Sequence, residues 1–296
     1  VKSFSFTQVE QRMDRSTSDN HRLLGPPALS MDGPHTSGAH RDGTGLGQAL
    51  LAGAMIALGI RGLVYGDFAS VWQRIPIEHL PAQQFFIYAC AAIELGTGIG
   101  LLVKRAVAVA AAVLLIFLWL WAVLLKLPAV IFVPQMEATW LGFGEIAVIV
   151  SGGWAIYAAH AGAWSRAHLT FATGVRWARL LFALALPMIG LSHFVYAKET
   201  VGFIPDWIPA HYFWAYLTGG ASIATSLAVL SGICSRLAAT LEAAMLSVIT
   251  LLVWLPGVIN APGNDSITPF LMSSAIACGA WALAGSYRGA GFTTSR

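Results

Sequence analysis

Charge is scarce in this chain. Aspartate, glutamate, lysine and arginine make up 10% of its 296 residues, where soluble domains carry roughly 25%. So few polar groups cannot cover a water-facing surface, which excludes an ordinary soluble domain. Cysteine is scarce as well. Cys90, Cys234 and Cys278 lie far apart and form no CxxC pair, so a dithiol relay or a thiolate zinc site has no support. All three read as small buried hydrophobes. There is no HExxH, no nucleophile elbow and no glycine-rich loop after a strand. The sequence therefore offers no catalytic residue and no metal ligand. A net charge of +3 calls for no nucleic-acid partner.

What is abundant is apolar surface. Hydrophobic residues make up 57% of the chain and the mean hydropathy is +0.69. Residues 1–45 form a polar tail rich in Ser, Asp, Arg, Gly and His. It has no charged-then-apolar signal pattern, so it is expected to stay attached, and its composition predicts disorder. Eight apolar segments follow, near 46–64, 83–103, 106–127, 139–159, 174–196, 211–232, 235–256 and 267–286. Each approaches the roughly 20 residues that a bilayer core requires. In lipid an isolated segment satisfies its backbone only as a helix. The fold class is all-α: a polytopic membrane protein with eight transmembrane helices and the lipid bilayer as its first partner.

The best-marked stretch runs from Gly190 to Gly219, and a fainter copy lies 128 residues upstream. Gly62, Pro81, Phe85 and Tyr88 match Gly190, Pro209, Phe213 and Tyr216, and Pro128-Ala-Val-Ile matches Pro256-Gly-Val-Ile. Four helices per copy is an even number, so both copies enter the membrane from one side. The expected organisation is two parallel four-helix repeats, 46–160 and 174–287, between the tail 1–45 and a short end 288–296. With the N-terminus inside, thirteen basic residues lie on the inner side and at most four (Arg61, Arg74, Lys126, Lys198) on the outer. That bias places both termini in the cytoplasm of a bacterial inner membrane. Trp207, Tyr212, Trp214 and Tyr216 then form an aromatic belt at the outer surface, where Pro205 and Pro209 interrupt the helix.

The run HFVYAKETVGFIPDWIPAHYFWAYLTG, His193 to Gly219, resembles the DoxX-like membrane family. Arg61 and the run Glu94-Leu95-Gly96-Thr97-Gly98-Ile99-Gly100-Leu101 resemble the broader DoxX pattern in the first copy. The resemblance covers about residues 46–286 and implies the four-helix unit. Some relatives are linked to thiosulfate:quinone oxidoreductase or to membrane redox assemblies, which implies a quinone or a bound lipid as the cofactor candidates. The chain departs from its own pattern, because Ile189 and Ser222 occupy the repeat positions of Arg61 and Glu94.

Charges inside spans carry the functional question, since a carboxylate at mid-bilayer costs about 3 kcal/mol. Arg61, Glu94 and Glu145 form the expected buried charge cluster. It reads either as a structural ion pair pinning helices or as a proton-linked or quinone-facing site. His193 reads as a satisfied helix-end histidine, bonded to a carbonyl or to Asp206; the sharper alternative is a quinone or haem ligand, with Trp207, Trp214 and Tyr216 as pocket walls. His79 and His211, the candidate second imidazoles, lie in loop-like surroundings. Phe117, Trp119 and Trp121 are expected to face lipid or a neighbouring protein, and Gly96, Gly98 and Gly100 to allow close helix contact. Three function classes result. The first, preferred, is an accessory, non-catalytic subunit packed against a larger electron-transport membrane complex. The second is a quinone-linked oxidoreductase component, and the third a small-molecule or proton-linked transporter.

Overall fold

The computed structural model describes residues 45–69, 81–161, 171–288 and 291. The tail 1–45 and the end 288–296 lie almost wholly outside them, as do Arg74 and His79. The described residues are helical or in turns, with no strand among them. Eight helices are long and apolar enough to cross a membrane, one for each apolar segment of the sequence.

In chain order the spans are α1 (Gly45–Tyr65), α2 (Gln83–Leu102), α3 (Val107–Trp121) continued by α4 (Leu127–Phe132), α5 (Glu137–His160) and α6 (Phe171–Val195). After the short α7 (Ala197–Phe203) come α8 (His211–Ser231), α9 (Ser235–Ile249) continued by α10 (Leu255–Asn260), and α11 (Asn264–Gly285). The third and seventh spans run past Pro128 and Pro256, where the sequence reading ended them. A five-residue π-helical turn, Ala122–Lys126 in one and Thr250–Trp254 in the other, precedes each proline. The wider turn absorbs the ring that an α-helix would clash with, and the helix resumes. Pro187 sits inside α6 without ending it. It leaves the Ala183 carbonyl without its amide, and Ser226 on α8 donates to that carbonyl at 2.6 Å.

Several backbone features recur at the 128-residue offset. Ala82 and Ala210, each after a proline and before a span, both adopt left-handed conformations with φ of 61° and 58°. Phe85 and Phe86 pack edge to face, as do Phe213 and Trp214. Gly62 lies so close to α2 that a Cβ would stand 2.8 Å from Ala91 Cβ, and one on Gly190 would stand 2.7 Å from the Gly219 carbonyl of α8.

The two halves do not pack as separate bundles. Within residues 39–296, a single compact unit, neighbours follow the order α1, α2, α3, α5, α6, α8, α9, α11 and back to α1, and α5 and α11 also meet each other. The first helix of each half therefore packs on the last helix of the other half and barely on its own. At the α5–α11 crossing Gly152 faces Gly279, whose Cα would lie 2.7 Å from an added Cβ. Without side chains there, the two backbones touch.

This interlocking corrects several expectations. Phe117 is buried in the core, and Trp119 and Trp121 pack against it, with Trp119 edge to face on Trp154. They face inward because α3 lies between α2 and α5. Gly98 and Gly100 do make close contacts, with α1 and with Ala110, but Gly96 meets nothing. Cys90 is buried, whereas Cys234 and Cys278 are only partly so.

Candidate functional site

Arg61 ends up at a seam that its own half does not build. It lies on the last turn of α1, 3% exposed, and reaches the start of α11. Nε donates to Asn264 Oδ1 at 3.0 Å and Thr268 Oγ1 at 2.9 Å, and one terminal nitrogen donates to Asn264 Oδ1 at 2.6 Å. The other donates to the Asp67 carbonyl at 2.7 Å. The Asp67 carboxylate completes an ion pair at 3.4 Å and also accepts from Asn264 Nδ2 at 3.3 Å. Thr268 in turn donates to Asn264 Oδ1. The guanidinium thus spreads its charge over oxygens of two elements that are far apart in sequence, which makes burying it tolerable.

Asp67 is the ion-pair partner that the sequence reading assigned to a glutamate. Glu94, 2% exposed on α2, acts on Arg61 electrostatically. Glu145 belongs to other surroundings: Lys126 and Glu137 act on it, and Lys126 Nζ lies over Gly142, one turn before it.

His193, near the end of α6, meets Thr218 Oγ1 on α8 at 3.0 Å through Nδ1. The same hydroxyl lies 2.9 and 3.0 Å from the Trp214 and Ala215 carbonyls. The tautomer of His193 sets which atom donates in the contact with Thr218, and the Ala215 backbone also bonds the ring. Phe194 stacks on Tyr216 with ring centroids 5.5 Å apart. Trp214 donates to the Pro209 carbonyl at 3.1 Å, while Trp207 stands 73% exposed. His193 and Thr218 are brought together with the Phe194–Tyr216 stack, and Trp207 projects outward.

Sequence reasoning missed Glu242, a fully buried acid on α9 that accepts from Ser222 Oγ at 2.8 Å. A scan for lone charges in apolar runs would have found it. Asn264 and Thr268 carry no comparable signal, because neutral polar residues at a span's end are ordinary. Among the described residues no group of three or more His, Cys, Asp or Glu could hold a metal ion.

Eight membrane-length helices with polar residues bonded between them define a polytopic α-helical membrane protein. Residues 174–255 match the DoxX family model, so this part of the chain is similar to DoxX membrane proteins. The matched region spans α6 to α9, including the His193–Thr218 contact and Glu242. Neither the curated proteins nor the solved structures contain a match to the chain.

Proposed function

We propose that the protein is an accessory, non-catalytic subunit that packs against and stabilises a larger electron-transport complex in a bacterial inner membrane, with both termini cytoplasmic. Arg61 is the observation that carries this reading. Its donors go to Asp67, Asn264 and Thr268, so the strongest charge inside the spans braces the first helix against the last instead of facing a substrate. The flank formed by α8 and α9 supports the same reading. These spans are the least enclosed of the eight and turn Leu217, Leu227, Leu230, Leu241 and Val248 outward, a face another membrane subunit can cover. The constant offset of the π turns and left-handed alanines supports the further proposal that 46–160 and 174–287 arose by duplication of one four-helix unit.

Purification in mild detergent tests the role. Co-migration with cofactor-bearing subunits, with the tail protected from protease, is expected; a monomer that oxidises or reduces quinone alone overturns it. The second reading, a quinone-linked component, is favoured by His193. Its second ring nitrogen can accept from a quinol hydroxyl in one tautomer and donate to a quinone carbonyl in the other. If Glu94→Gln leaves quinone turnover and its pH profile unchanged, that reading loses the Arg61–Glu94 site.

A further inference from the structure

Neither the Arg61 brace nor the accessory role involves Glu242. It lies two turns into α9, 1% exposed, between the fully buried Ala239 and Ala243. Oε1 accepts from Ser222 Oγ at 2.8 Å, and the Thr225 hydroxyl, one turn along α8, also acts on the carboxyl. Oε2 is buried with no hydrogen-bond partner. Ser226, the next hydroxyl on α8, is committed to the Ala183 carbonyl that Pro187 left open.

Charge balance then decides what the site needs. In the first half the buried Glu94 has Arg61 to act on. Around Glu242 the titratable and charged groups on the elements packed against α9 are His211, Tyr212 and Tyr216 on α8 and Asp265 and Cys278 on α11. Arg236 lies on α9 itself, and the π turn Thr250–Trp254 contributes none. Besides its burial, the two hydroxyls of Ser222 and Thr225 act on the carboxyl. Hydroxyls orient a carboxylate but cannot neutralise it, and a bare, buried anionic oxygen is far costlier than a compensated one. One carboxylate and two hydroxyls are also the hard oxygen donors that suit a small cation.

We propose that Glu242, Ser222 and Thr225 form a binding site for one exchangeable monovalent cation, a proton or a sodium ion, inside the second half. The site stands independently of the accessory role, and the two can fail separately. Labelling with dicyclohexylcarbodiimide, a lipid-soluble reagent that adds to protonated carboxyls in apolar surroundings, tests it on the whole protein purified free of other subunits in detergent micelles. α8 and α9 are the least enclosed spans, so a reagent dissolved in the micelle meets this flank first. The expected result is a label on the Glu242 peptide that is lost in Glu242→Gln. For a proton site, labelling slows about tenfold per pH unit once the proton has left and ignores sodium. For a sodium site, replacing potassium by sodium at fixed pH slows it about tenfold at ten times the Kd. Ser222→Ala, which keeps the acid, shifts the pH or sodium midpoint. No label on Glu242 between about pH 5 and about pH 9, or a rate that neither pH nor sodium changes, overturns the proposal.

Discussion

Two of the contacts that join the halves set the first helix of one against the last helix of the other, and they are built differently. At the α1–α11 seam, buried Arg61 is bonded to Asn264, Thr268 and Asp67. At the α5–α6 seam the positions 128 residues away from these four are Ile189, Met136, Trp140 and Val195, all apolar. Closeness alone serves there, with an added Cβ on Gly144 3.0 Å from the Ala185 carbonyl, whereas the α1–α11 seam has both the polar bonds and a close approach, an added Cβ on Gly47 standing 2.5 Å from Ala282 Cα. The buried acid has moved too, from Glu94 on α2 to Glu242 on α9, whose register partner is Leu114, while Ser222 takes the place of Glu94 and bonds Glu242. A common backbone plan therefore tolerates two kinds of adhesive, polar bonding and backbone proximity, because lipid gives neither seam a hydrophobic advantage.

The largest effect is expected where both halves meet. Gly152→Leu places a side chain on the Gly279 backbone and should cost more than about 3 kcal/mol, read as a fall in the unfolding midpoint in detergent. Gly153→Ala, whose Cβ meets only Leu118 at 3.6 Å, should leave the midpoint almost unchanged; equal losses would remove the crossing from the account. Next comes the contrast between seams. Arg61→Met removes the charge that compensates buried Glu94 and the bonds to Asn264 and Thr268 and should cost about 3–5 kcal/mol, against about 1 kcal/mol for Ile189→Met, by denaturant titration of the purified protein. Similar costs would mean that the arginine is not a brace. Between the two acids, Glu94→Gln removes a charge beside a buried arginine and should cost about 2 kcal/mol. Glu242→Gln keeps an acceptor for Ser222 and should stay within about 1 kcal/mol of the parent. A larger loss for Glu242→Gln in the same titration would reverse the comparison. Smallest is the feature the halves share. Ala82→Gly and Ala210→Gly each relieve a left-handed alanine and should each stabilise by about 1 kcal/mol; a gain in only one would show that the two junctions are not equivalent.

The spans were legible to within a few residues, apart from the extensions beyond Pro128 and Pro256, which depend on the π turns ahead of them. Arg61 and Glu94 were legible as buried charges because lipid makes a lone charge conspicuous. Asp67 was not, since it lies just past the end of a span where an acid needs no explanation. Neither were Asn264 and Thr268, 203 and 207 residues away from Arg61, because the brace depends on α1 lying against the other half's last helix. Phe117 was assigned to the lipid side and is buried because α3 lies between α2 and α5.

Composition and spacing alone determined that lipid is the solvent and that eight segments are membrane-length helices, since a backbone in hydrocarbon has so few ways to satisfy itself. Which faces turn inward, which helices are neighbours and which charge meets which partner were decided only by the tertiary structure. A span surrounded by lipid is apolar on every side, so its periodicity does not say which side is buried. That was settled by where glycines let backbones touch and where a few polar side chains found one another.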